Sequence, residues 1–178
     1  MHPVATSALA SILLFSAAAV VATGAAAAAA EVKIRFDEGA PKDRFSITNM
    51  SACNFGPLKI KIDLAPSPYG LIFDVSASGA GVEVFQPLEI VQGRQNLASI
   101  PTIRDGDNAI TLQLLKLDAS QTVSFTIDID DTVEARGITV ADGEIAKARV
   151  ELSQGDFTSG SDFGGNAIAL VRAPDCAA

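Results

Sequence analysis

The chain has no tryptophan, one tyrosine and a single histidine, His2, which lies in its first few residues. Without an imidazole in the body of the chain, Ser-His-Asp and Cys-His nucleophilic catalysis and histidine-ligated zinc have no means of operating. Basic charge is also scarce: 13 Lys and Arg stand against 21 Asp and Glu, a formal charge of −8. Nucleic acid and anionic membranes select basic patches, so neither is an expected partner. No Gly-rich phosphate loop and no alternation of strands with helices is present, and nucleotide binding has no support.

Residues 1–30 lack Lys, Arg, Asp and Glu altogether. Leu9-Ala10-Ser11-Ile12-Leu13-Leu14-Phe15 opens an apolar run that passes through Val20-Val21 into an alanine tract ending at Ala30. An apolar core followed by small residues describes a signal peptide, and Ala28-Ala29-Ala30 before Glu31 offers the small side chains a signal peptidase requires, as do several earlier alanines. Alanine is a poor membrane-spanning residue and no basic stop-transfer cluster follows. The expected product is one domain, residues 31–178, with no stable membrane insertion after cleavage and a secreted, periplasmic or cell-surface destination. A domain of that size buries roughly 70% of its unfolded surface.

Two cysteines remain in that product, Cys53 and Cys176. An even count in an exported chain predicts a disulfide, since a catalytic thiol would want a histidine that is not there.

Alternation is the dominant pattern. In Val32-Lys33-Ile34-Arg35-Phe36 and Leu58-Lys59-Ile60-Lys61-Ile62-Asp63-Leu64 every second side chain is apolar. A period of two marks half-buried strands. The same period in residues 123–130 puts Val123, Phe125, Ile127 and Ile129 on one face and Ser124, Thr126, Asp128 and Asp130 on the other. Further strands are predicted at Phe45–Met50, Leu71–Val75, Val82–Phe85 with Leu88–Val91, Ala109–Leu117, Ile138–Val140, Ala146–Leu152 and Ala167–Val171. Turn formers separate them, among them Ala65–Gly70, Ser76–Gly81, Arg104–Asn108 and Ala141–Gly143, whereas Gly155–Gly165 reads as loop. Short strands at this spacing predict an all-β fold, an antiparallel β-sandwich of immunoglobulin-like or jelly-roll type.

The densest polar feature is Asp128-Ile129-Asp130-Asp131-Thr132, and Asp105-Gly106-Asp107-Asn108 is a second oxygen-rich segment, with Asp37-Glu38 a third. Calcium takes 6–8 oxygens and often sits among loop carboxylates, so Asp128, Asp130, Asp131, Asp105 and Asp107 are the candidate metal ligands and calcium the candidate cofactor. None of these segments has EF-hand spacing. The plainer alternative is that the acids keep a strand edge soluble and turn the chain.

Glu38-Gly39-Ala40-Pro41-Lys42-Asp43-Arg44-Phe45 with Asn49 and Cys53, Gly70-Leu71-Ile72-Phe73-Asp74, residues 79–87, Asp105-Gly106-Asp107 and residues 125–132 follow one another in a distinctive order. Over about residues 31–172 this order resembles bacterial proteins related to the aggregation factor core protein of marine sponges. The resemblance implies an extracellular all-β module and, in the sponge assembly, calcium-dependent, glycan-linked cell adhesion. A lone domain lacks the repeated modules that give such an assembly its avidity. The expected function is therefore a non-enzymatic module for adhesion or matrix association, with cell-surface glycans or other extracellular proteins as partners. Two other classes compete. A carbohydrate-binding module would need stacking platforms from Phe55, Tyr69, Phe85, Phe157 or Phe163. A carboxylate-based hydrolase would need two acids at a set separation across a cleft.

Overall fold

The computed structural model describes residues 30–78, 85–133 and 140–176. Among the described residues ten strands run in chain order: β1 (Glu31–Asp37), β2 (Asp43–Asn49), β3 (Leu58–Asp63), β4 (Ile72–Asp74), β5 (Glu89–Gln92), β6 (Ala109–Leu114), β7 (Thr122–Asp130), β8 (Arg149–Gln154), β9 (Phe157–Asp162) and β10 (Ile168–Arg172). Every pairing is antiparallel. One sheet has the order β10-β1-β2-β7-β4, with β5 also on β7, and the other has the order β6-β3-β8-β9. The two sheets pack as an all-β sandwich.

Alternation explains the packing. Val32, Ile34 and Phe36 of β1, Phe45 and Ile47 of β2, and Val123, Phe125, Ile127 and Ile129 of β7 point from one sheet into the core. Ile60, Ile62, Ile110, Leu112, Val150 and Leu152 answer from the other. All are essentially inaccessible to water. At roughly 25 cal/mol per Å² of apolar surface, this shared core is the main force holding the sheets together. Phe36, Phe45 and Phe125 stand in register across three neighbouring strands, with ring centroids 5.2 and 5.1 Å apart. Contacts at that separation add to area burial.

β7 borders β2 along one side and divides its other side between two short strands. β4 lies along Asp128–Asp130, and β5 lies along Ser124–Thr126. Gln86 joins them, donating its N–H to the Asp74 carbonyl and accepting from the Asp128 N–H. Gly70 fixes the entrance to β4: its φ of +63° suits glycine, and a Cβ there would collide with Thr132 Oγ1. Thr132 in turn donates from its N–H to the Tyr69 carbonyl and from Oγ1 to the Gly70 carbonyl.

Cys53 and Cys176 form a disulfide with Cα atoms 5.4 Å apart, tying the carboxy-terminal segment to the loop after β2. Asn49 holds that loop. Its Nδ2 donates to the carbonyls of Cys53 (2.7 Å) and Leu117 (3.0 Å), while Oδ1 accepts from the N–H and hydroxyl of Ser51. Ala30 already belongs to the folded body: it is buried, and its carbonyl accepts the Ala173 N–H at 2.7 Å.

Three sequence expectations need correction. The loop-like stretch Gly155–Gly165 contains β9, an edge strand whose ladder to β8 uses backbone groups and therefore needs no apolar side chains. The strand predicted at Ala146–Leu152 begins only at Arg149. Before it, Ala146 N–H bonds to the Gly143 carbonyl and Ala148 N–H to that of Ile145, turns that bury Ile145 and Ala148. Phe85 is not in a strand, and the predicted strand positions 82–84 and 138–139 lie outside the described residues.

Candidate functional site

β7 departs from the half-buried pattern that its sequence suggests. Its core face is apolar, but the opposite face, Ser124, Thr126, Asp128 and Asp130, is buried as well. The reading of these acids as solubilising charges on a strand edge is therefore wrong, because β7 lies inside its sheet.

The register of β4 on β7 explains what gathers there. Phe73 lies opposite Ile129 and shares its inward direction, so Ile72 and Asp74 take the outer face with Asp130 and Asp128. Asp74 is the direct cross-strand partner of Asp128 and the diagonal neighbour of Asp130. Like charges placed opposite each other destabilise a strand pair. One carboxylate oxygen from each of Asp74, Asp128 and Asp130 lies within 4.8 Å of the others, and all three residues are buried. Neither oxygen of Asp74 meets an N–H or hydroxyl donor, and Asp128 Oδ2, Ser124 Oγ and Thr126 Oγ1 also lack hydrogen-bond partners. Asn96, in the short 3-10 turn before β6, also has an unpaired buried amide, but it stands by itself in sequence and sheet.

The electrostatics follow from this crowding. Burial, then the Asp105 and Asp130 carboxyls, push Asp74 up from 3.8 to about 7. Burial, then the charge of Asp130, push Asp128 up to about 7, against a lowering contribution from the Ile129 N–H. Asp43, at the start of β2, is also raised to about 7 by burial, although the N–H groups of Gly39 and Ile129 favour its charged form. Asp128 and Asp130 add to that rise. At neutral pH the region therefore retains protons that ordinary aspartates would have lost.

The five acids marked from sequence have different fates. Asp128 and Asp130 enter the cluster. Asp131 is buried beside it, but its Oδ1 accepts the Val133 N–H in a local turn. Asp107 Oδ2 accepts the Arg104 N–H, closing its own turn. Asp105 lies against Asp74, and its Oδ1 accepts the N–H groups of Val75 and Ser76, which fixes the chain leaving β4. The expected set drawn from two loops is thus replaced by two paired strands, with Asp74 as the missed member. An acid closing the apolar run Leu71-Ile72-Phe73 was the available signal, but nothing local says that Asp74 will face Asp128.

The aromatic candidates for sugar stacking are recessed. Phe55 and Phe163 are buried, and Tyr69, Phe85 and Phe157 are half-buried. A shallow groove of about 380 Å³ crosses the outer surface near Lys59, Gln113 and Gln154, with no aromatic in its lining. Among the described residues, no helix is long and apolar enough to cross a membrane.

These features define a disulfide-bonded, all-β sandwich with a buried oxygen cluster on one strand pair. No protein-family model and no curated protein matches the chain. Among solved structures, a family GH18 chitinase from Chromobacterium violaceum is similar at 14% identity and a TM-score of 0.33, over 77% of this chain and 19% of the chitinase. The chain thus spans about a fifth of that enzyme, and so loose a likeness carries no functional argument.

Proposed function

We propose that the protein is a secreted or cell-surface, non-enzymatic β-sandwich module that takes part in adhesion or matrix association in a calcium-dependent way. The observation that carries this reading is the concentration of buried carboxylates on a rigid strand pair within a disulfide-closed domain. Disulfides persist in oxidising compartments, where millimolar calcium is commonly available to extracellular modules. The acids also fit poorly with glycoside hydrolysis. All three acids are buried, whereas hydrolytic carboxylates flank a sugar bond in a cleft that the substrate enters. Recessed aromatics weigh against a carbohydrate-binding module that works by stacking.

The test is a bead assay with the full chain, disulfide formed, coupled to inert particles. In millimolar calcium the particles should clump or bind extracellular polysaccharide or surface protein, and a chelator should reverse this. Particles that stay dispersed and bind neither in calcium would overturn the adhesion reading.

A further inference from the structure

We propose that Asp74, Asp128 and Asp130 are the carboxylate ligands of one hard divalent cation, held on the outer face of the β4–β7 pair, with calcium the best-fitting ion. This rests on the functional reading above only in naming the site through which calcium would act, and it can be tested without any adhesion partner.

Three observations carry it. The first is spacing. Calcium–oxygen bonds of 2.3–2.6 Å let ligands on opposite sides of one ion stand about 4.6–5.2 Å apart, whereas magnesium at 2.0–2.1 Å allows only about 4.2 Å. Oxygens that all lie within 4.8 Å of one another are close enough to share one ion of calcium's size without moving.

The second is Asp74 itself. It is 1% exposed, and neither of its carboxylate oxygens receives an N–H or hydroxyl hydrogen bond. The groups within reach of it are the carboxyls of Asp105 and Asp130, which pair with it only by holding a proton, and a native structure that buries such a group calls for an explanation. Among the described residues, no Lys or Arg forms an ion pair with Asp74 or Asp128. The third observation is that Asp128 Oδ2 and the hydroxyls of Ser124 and Thr126 share the same strand face and are also unpartnered. Calcium needs 6–8 oxygens, and bidentate carboxylates, neighbouring oxygens and bound water can complete the shell.

Location on two paired strands has a consequence that a loop site would not share. The ladder fixes Asp74 opposite Asp128 before any ion arrives, so binding requires little ordering of the backbone. Asp105, anchored through the N–H groups of Val75 and Ser76, adds its carboxyl beside Asp74.

Calorimetric titration of the purified protein with calcium chloride, and with magnesium chloride at equal ionic strength, tests the assignment. One saturable calcium site is expected, with a Kd on the order of 0.1–1 mM, and magnesium should bind at least about tenfold more weakly. D74N and D128N should each weaken calcium by about tenfold or more, while D156N, at the exposed β8–β9 turn, should leave it unchanged. Thermal melts in chelator establish that each variant is folded. No saturable heat up to about 10 mM calcium, or wild-type affinity in folded D74N, would overturn the proposal. Calcium binding as described with bead assays that stay negative would sink the adhesion reading and leave the site standing.

Discussion

The sandwich treats buried polar groups in two opposite ways. Around Asn49 each is matched: the side-chain amide reaches the carbonyls of Cys53, Leu117 and Asp118, its oxygen accepts from Ser51, and the disulfide closes the same corner. Around Asp74 and Asp128 buried carboxyl groups face one another, and neither oxygen of Asp74 nor Asp128 Oδ2 meets an N–H or hydroxyl. The first arrangement fixes the chain. The second stores unfavourable electrostatics inside an otherwise well-packed sheet, which is the mark of a group kept for a ligand rather than for stability.

The largest effects should come from the matched corner and the core. Replacing both cysteines by serine releases a closed loop spanning 123 positions, and the chain-entropy model gives a loss of roughly 4–5 kcal/mol, measurable by denaturant unfolding. Phe125→Ala should cost about 3–5 kcal/mol, because a core ring packed on Phe45 leaves a cavity. Its neighbour on the opposite face behaves differently. Thr126→Val removes a buried hydroxyl with no partner and should be neutral or slightly stabilising, within about 1 kcal/mol. Equal losses at the two positions would erase the distinction between the faces of β7.

Asn49→Ala should cost about 2–3 kcal/mol, since it strands the carbonyls of Cys53 and Leu117, and denaturant unfolding with the disulfide intact isolates that loss. On the acidic side, pH is the sharper tool. Asp43, Asp74 and Asp128 each hold their proton more tightly folded than unfolded. Their contribution to stability is full below the ordinary carboxylate value of 3.8 and is lost as pH rises through about 7. In chelator the melting temperature should therefore fall between pH 5 and pH 8, and D74N should flatten that fall.

Most of the frame was legible in sequence because β1, β3 and β7 alternate strictly, and only one of their faces can be apolar. β9 was not, because Thr158-Ser159-Gly160-Ser161 has no apolar face to betray it, and its ladder to β8 is made by the backbone. The boundary of β8 was hidden by Ala146-Lys147-Ala148, which alternates while folding as turns. The site was half visible. Asp128 and Asp130 announced themselves by crowding, whereas Asp74 lies far upstream in a three-residue strand and meets them only through the register of Phe73 on Ile129. Strand pairing is a long-range fact that local patterns do not encode. At the amino terminus, Ala28-Ala29-Ala30 and the alanines upstream of them each suit a cut, and the Ala173 N–H bonds to the Ala30 carbonyl. If the leader is removed on export, amino-terminal sequencing of the product should find a start at or before Ala30, a smaller matter that leaves stability almost unchanged.

The central claim is that the Asp74–Asp128–Asp130 face is destabilising when empty and stabilising only when a cation fills it. Melting of wild type and D74N side by side at pH 8, in chelator and in calcium, measures this directly. In chelator D74N should melt higher, by about 1 kcal/mol or roughly 3 °C, and saturating calcium should reverse the order by raising the wild type further than D74N. If D74N melts below wild type in chelator, or rises as far as wild type in calcium, the carboxylates belong to the structure and not to a ligand.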